Sequence, residues 1–411
     1  MERIITLAHF KKFLILLGFL FLLGIYLPKI VSDSGEKNLY VHQASAFMHG
    51  QLNIDQNLQD VAVYKSKYYV PFPPFPAVLL LPVVAVFGVS STKVMLVSLI
   101  LSLLNIFLLL KILKRLEIDS QYIYWIVAAF FLGTAYLSSS LRSSSVWFFA
   151  HIVAVTCMLL ALNEVLWKGR GLLAGLFLGM AFLSRQMSIY ALFFLLIVLI
   201  DRNSLKSFKW KASNIIAFFF SLGLCFSLYL LFNWIRFDNI FNTGYSYIAL
   251  PGFLNERVAR YGLFSPVYIP FNLLYMFIQG FHLEFSSATH LSGITMDPFG
   301  TSITFASPFV FFAFWAKWKN KLLWGAWISI SLMIIHTLLY YNNGYVQANT
   351  QRFSLDFLPI IIILVALSLK EYTEKSVESF GCLLNNYERL SFINYFFRDN
   401  GILIVIFLIE L

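Results

Sequence analysis

An all-α polytopic membrane fold follows from three features of this sequence. The first is composition: of 411 residues, 59% are hydrophobic, 18% aromatic and only 12% charged, with a mean hydropathy of +0.77. A water-soluble chain of this length needs far more charge to cover its surface. The second is that apolar runs of about 18–20 residues recur along the chain, the length that crosses a hydrocarbon core roughly 30 Å thick. The third is that Lys and Arg fall in short clusters between these runs, the pattern of loops held on the cytoplasmic side. This distribution accounts for the net charge of +10 without nucleic acid. The three cysteines, Cys157, Cys225 and Cys382, are isolated and show no metal-type spacing.

The elements follow in order. Arg3, Lys11 and Lys12 precede an apolar helix over 13–31 that lacks a small-x-small cleavage site, so a retained span leading outward is expected. Residues 32–92 then form a first extracytoplasmic loop. Within it, 76–88 is too short to cross and carries Pro76 and Pro82, which predicts a surface helix. A span over 94–111 returns to Lys111, Lys114 and Arg115. Another, over 121–138, leads out to the serine-rich turn 138–146, and one over 147–166 returns to Lys168 and Arg170. Residues 171–200 are apolar except for SRQMS at 184–188, and both flanks are cationic. Only a hairpin of two short helices keeps both ends on one side, and it puts Arg185 at its tip.

A span over 214–235 opens a second outer segment, 236–300, with a further surface helix over 266–281. Spans over 301–316 and 322–340 flank Lys317, Lys319 and Lys321. An outer loop, 341–359, leads to a last full span ending at Lys370. Residues 371–411 form a cytoplasmic segment whose final apolar run, 401–411, is too short to cross. The total is about 10–11 transmembrane helices in one domain, 1–370.

On the outer side the ionisable residues become candidates, because such groups at membrane depth are costly and mark function. The acids of the first loop include Asp33, Glu36 and Asp60; any one could serve as a general base at the membrane surface. Against each stands the plainer reading of a solvated loop acid. Arg185 and Arg352 interrupt or adjoin apolar helices and could hold a phosphate through a fork of N–H donors. The competing reading pairs Arg352 with Asp356 one turn later. Lys65 and Lys67 are further cations in the first loop. Tyr68, Tyr69 and Tyr245 could stack on a sugar or simply anchor at the interface. His42 and His49 lack an acid or cysteine to complete a metal site, and no motif indicates a divalent metal or any other cofactor.

Several stretches resemble the GT-C membrane glycosyltransferases, particularly bacterial relatives of the protein O-mannosyltransferases and of the aminoarabinose lipid A transferases (a family 39-like pattern). The acid-plus-Tyr motif after the first helix is matched by EKNLYVHQASAF, with Glu36 at the acid position. The Tyr-rich approach to a Pro-Pro surface helix is matched by VYKSKYYVPFPPFPAVLLLPVVAVFG, although Phe72 stands where the family often has Lys. LLAGLFLGMAFLSRQ (172–186) is similar to a helix ending in a cation, here Arg185, and NWIRFDNIFNTGYSY and QRFSLDFLP also fit.

The resemblance implies a polyprenyl-phosphate sugar donor and a lipid, glycan or protein acceptor, used at the outer face of a bacterial cytoplasmic membrane. Glu36 or a neighbouring acid would act as base, with Arg185, Arg352 and Lys65 or Lys67 stabilising the leaving phosphate. The rivals are a lipid-linked-sugar flippase, which would carry paired broken helices in two halves of the chain, and an O-antigen-type polymerase or ligase, which would not need the first-loop acid.

Overall fold

The computed structural model describes residue 18 and residues 20–202, 208–295, 297–344 and 350–382. The basic start and the final apolar run, 401–411, lie outside them. Helix α1 (Leu20–Ser32) is followed by α2 (Leu39–Met48), whose first turn is capped by Asn38, its side chain accepting from the Tyr40 N–H at 2.9 Å. The expected surface helix is α3 (Phe75–Ser91), which starts on Pro74 and Pro76 and kinks where Gly88 takes φ +70°. It packs along α2.

Between α2 and α3 the loop folds into a small antiparallel sheet, which the all-helical expectation did not include. Its order is β1 (Asn53–Ile54), β3 (Lys67–Tyr69), β2 (Ala62–Tyr64). The turn residues Lys65 and Ser66 both hold positive φ, +47° and +61°, which matches the twist of a two-residue hairpin. Strands of two or three residues are too short for an alternating pattern to reveal.

Helix α4 (Val94–Arg115) leads to α5 (Ser120–Leu132), α6 (Ala135–Ser140) and α7 (Val146–Trp167). The single span expected over 121–138 is therefore divided. Gly133 ends α5 and its carbonyl accepts from Ser307 Oγ at 2.6 Å, while the Thr134 hydroxyl caps α6. The serines around this break knit the neighbouring helices together. Ser98 bonds Ser140 at 2.8 Å and Ser143 at 2.9 Å, Ser102 bonds Ser140 at 2.9 Å, and Tyr26 reaches Ser140 from α1. Helix α7 is apolar on every side and buried along nearly its whole length, so it is the central pillar.

Helices α8 (Gly171–Phe182) and α9 (Leu192–Arg202) form the hairpin. Arg202 Nε donates to the Trp167 carbonyl at 3.2 Å, which brings the end of α9 back beside the start of α8. Gly171, Gly175 and Gly179 recur every four residues and let α8 lie directly on α10 (Phe208–Phe237). A Cβ on Gly175 would come within 2.1 Å of the Phe218 carbonyl oxygen.

The second outer segment holds α11 (Gly252–Tyr261), α12 (Ile269–Leu273) and an exposed hairpin of β4 (His282–Phe285) and β5 (Leu291–Thr295). The helix expected over 301–316 is not one α-helix. Helix α13 (Ile303–Ala306) stops at Ser307, and Pro308–Trp315 continues as 3₁₀ turns, because Pro308 cannot donate to the helix ladder. Helices α14 (Asn320–Leu339) and α15 (Leu358–Cys382) complete the bundle.

Among the described residues, α4, α7, α14 and the Ala212–Phe237 part of α10 are long and apolar enough to cross a membrane. The crossings expected over 121–138 and 301–316 are broken into shorter pieces. The chain is a multi-pass, almost wholly helical membrane protein.

Candidate active site

The site forms where three chain breaks meet: the tip of the α8–α9 hairpin, the 3₁₀ turn Arg352–Asp356 before α15, and the strands after α2. At the tip, Ser184 Oγ returns to the Met180 carbonyl at 2.9 Å and closes α8. The Leu183 carbonyl accepts from the Phe75 N–H at 2.9 Å, which ties the start of α3 to the hairpin.

Arg185 then reaches Asp356 through two hydrogen bonds, Nε to Oδ1 at 3.0 Å and an Nη to Oδ2 at 2.6 Å. This fork-to-fork pair is the strongest form of carboxylate recognition. Asp356 is 1% exposed at its side chain, and Arg185 21%. His151 Nδ1, on α7, stands 3.5 Å from Oδ1 of the same carboxylate, longer than an ordinary hydrogen bond. Burial would raise the Asp356 pKa, but the Arg185 guanidinium outweighs it and holds the carboxyl well below its usual range.

Arg352 brings a second guanidinium. It is buried, lies over the Phe148 ring at 4.8 Å and the Phe353 ring at 5.3 Å, and donates to the Gly344 carbonyl at 3.4 Å. Burial, then the charge of Arg185, pushes its pKa down to about 9. Two guanidiniums thus lie close to one buried carboxylate, in surroundings of low dielectric where charge acts strongly.

A tyrosine wall surrounds this charge. Tyr40 from α2 meets Phe72 and Phe149, both with ring centroids 6.4 Å away, and Tyr245 meets Phe72 at 5.9 Å. Burial raises the pKa of Tyr40, Tyr245 and Tyr340, and Arg185 draws all three the other way. One guanidinium thus faces side chains from three distant segments. Gln186 donates to the Tyr229 hydroxyl at 2.6 Å beside them.

Asp60 borders the same wall. It sits in a tight turn with φ +64° and is half-buried. Burial raises its pKa, opposed by a hydrogen bond from Trp147, and its charge reaches Tyr245 and Tyr341. Of the three first-loop acids, Asp60 is the one whose charge reaches Tyr245, on which Arg185 also acts.

The remaining sequence candidates fall elsewhere. Asp33 is buried and its Oδ2 accepts from the Met95 N–H at 2.8 Å, capping the start of α4, while Lys93 donates to its carbonyl at 2.5 Å. Glu36 is exposed in a 3₁₀ turn, and His42 donates to its backbone carbonyl at 2.8 Å. Lys65 makes an exposed pair with Asp238 at 2.7 Å that Tyr64 joins at 3.0 Å. Lys67 faces Tyr64 across the hairpin and is exposed. Tyr69 packs against Phe237 in the sheet, with Tyr68 half-buried beside it. Arg236 is buried and locks that sheet to α10 by donating to the Val70 carbonyl at 2.6 Å.

Sequence reading weighed an Arg352–Asp356 pair against a phosphate-binding role for Arg352; Asp356 takes Arg185 as its bidentate partner. It read His151 as a core or interface residue and Tyr40 as part of an apolar helix pattern, and it did not single out Tyr340. The one available signal was that His151 is an ionisable group inside an otherwise apolar span.

A family model described as dolichyl-phosphate-mannose-protein mannosyltransferase matches residues 72–238. No curated protein matches the chain in sequence. Among solved structures, ArnT from Cupriavidus metallidurans bound to undecaprenyl phosphate aligns with a TM-score of 0.51 at 13% identity, over 96% of this chain and 70% of that one. The apo state of the same protein gives 0.48 at 13%, over 90% and 62%. The matched segment runs from the approach to α3 to the end of α10 and so includes the Arg185 hairpin. Over that segment the chain is similar to the mannosyltransferase family, and over nearly its whole length it shares the fold of ArnT.

Proposed function

We propose that the chain transfers a sugar from a polyprenyl-phosphate donor to an acceptor hydroxyl, in the crevice between Arg185, Arg352 and Asp60. The observation that carries this reading is that two guanidiniums from distant segments, Arg185 and Arg352, are brought together beside Asp356 at the break of a membrane hairpin. A lipid phosphate matches them in sign and in depth, and undecaprenyl phosphate is bound by the similar ArnT structure.

In the reaction the acceptor oxygen attacks the anomeric carbon as the bond from that carbon to the phosphate oxygen breaks. The acceptor proton passes to the Asp60 carboxylate. The leaving polyprenyl phosphate gains negative charge, which Arg185 and Arg352 offset in a water-poor site. Asp356 keeps the Arg185 fork aimed, and Tyr40 and Tyr245 offer faces for the sugar. Asp60 is preferred as base over Glu36, which is exposed, and over Asp33, whose carboxylate is committed to a helix start.

We place the site at the outer face of a bacterial cytoplasmic membrane, since the Lys111–Arg115 and Lys317–Lys321 clusters then lie inside. The test is transfer by the purified chain from a panel of polyprenyl-phosphate sugars. Asp60→Asn and Arg185→Gln should each lower it at least about 100-fold, and full activity in both would overturn the reading.

A further inference from the structure

The opposite end of α7 carries a second cationic group. From His151 to Trp167 the helix rises about 24 Å, so this group is remote from the arginine crevice. Trp167 is exposed, and three cations gather on its ring: Lys168 Nζ at 4.2 Å from the centroid, Arg115 Cζ at 4.5 Å and Lys111 Nζ at 5.0 Å. Arg202 adds a fourth cation at its backbone carbonyl.

The nearby carboxylates are already engaged. Glu164 pairs with Arg170 at 2.7 Å, Asp201 with Lys319 at 2.8 Å and Lys321 at 2.7 Å, and Glu117 with Lys370 at 3.2 Å. Asp119 caps α5. Among the described residues, no carboxylate forms an ion pair with Lys111, Arg115, Lys168 or Arg202.

The face below them is apolar and uncovered. Ile100, Leu103 and Phe107 are 57%, 41% and 57% exposed and recur at helical spacing in line with Lys111, whose ammonium lies over Phe107 at 5.6 Å. A cationic group over an indole, capping a greasy stripe, matches a phosphate headgroup with its acyl chains beneath.

We infer that Lys111, Arg115 and Lys168 around Trp167 form a binding site for the headgroup of an anionic glycerophospholipid, whose chains lie along the Ile100–Phe107 face of α4.

The test titrates the full chain in detergent with phosphatidylglycerol, phosphatidylcholine and glycerol 1-phosphate, reading bound lipid by native mass spectrometry and melting temperature. Phosphatidylglycerol should bind and stabilise, and the other two should not. Removing two surface cations as Lys111→Gln with Lys168→Gln should weaken phosphatidylglycerol binding roughly 30-fold. Lys111→Arg with Lys168→Arg should restore it, which separates lost charge from lost fold. Unchanged affinity in the Gln variant would overturn the site. Glycerol 1-phosphate binding as tightly as the lipid would show a soluble-anion site instead and would equally overturn it.

Discussion

Arg185 and Asp356 are 171 positions apart and meet through paired hydrogen bonds of 3.0 and 2.6 Å, with Asp356 buried and His151 Nδ1 3.5 Å from its Oδ1. Breaking this pair from the acid side removes the bidentate partner of the Arg185 guanidinium. Asp356→Asn should destabilise the protein by roughly 3–5 kcal/mol, read as a lower melting temperature in detergent. The pH dependence has a defined sign. The Asp356 pKa is depressed in the fold, so its contribution is complete above the ordinary carboxylate pKa and is lost as pH falls below it toward the folded value. The wild type should lose stability below about pH 4, and the Asn variant should lack that component.

Arg185→Lys tests geometry rather than charge. Lysine cannot reproduce the two-pronged contact, so turnover should fall about 100-fold or more while the protein stays folded. Single-turnover rates with saturating donor would read this directly; near wild-type turnover would rule out a role for the fork.

The three acids should separate by substitution. Asp60→Asn is expected to cost about 10²–10⁴ in kcat with little change in donor KM. Glu36→Gln should leave kcat within a few-fold. Asp33→Asn should lower stability by roughly 0.5–2 kcal/mol, as loss of a helix cap does, with activity intact in the folded fraction. A large kcat loss in Glu36→Gln alone would move the base to that residue.

The acidic limb of the rate profile should sit above the range of an ordinary carboxylate. Burial raises the Asp60 pKa, and a base acts only when ionised, so activity should climb with pH through that raised value. Residual turnover in Asp60→Asn should lack the limb.

Gly175→Val should disrupt the bundle without touching the charged site. Its side chain would meet the Phe218 carbonyl, and overpacking of this kind typically costs about 1–3 kcal/mol. The melting temperature and the yield of folded protein would report it.

Much of this protein could be read from residue order. The spans at α4, α7 and α14, the helix at Phe75–Ser91 and the hairpin with Arg185 at its break all arise from local rules. Hydrocarbon thickness sets span length, and cations sort to one side. Each rule acts within about twenty residues, so sequence suffices. What sequence left open was which ionisable groups share a site. Asp33 and Asp60 look equally suited as loop acids, yet one carboxylate closes a helix start while the other faces Tyr245 and Tyr341. Asp356 had a partner waiting one turn away in Arg352 and took Arg185 instead. Only the packing of the hairpin against the turn before α15 decides that, because a buried carboxylate selects whichever guanidinium can present its fork squarely, however distant along the chain.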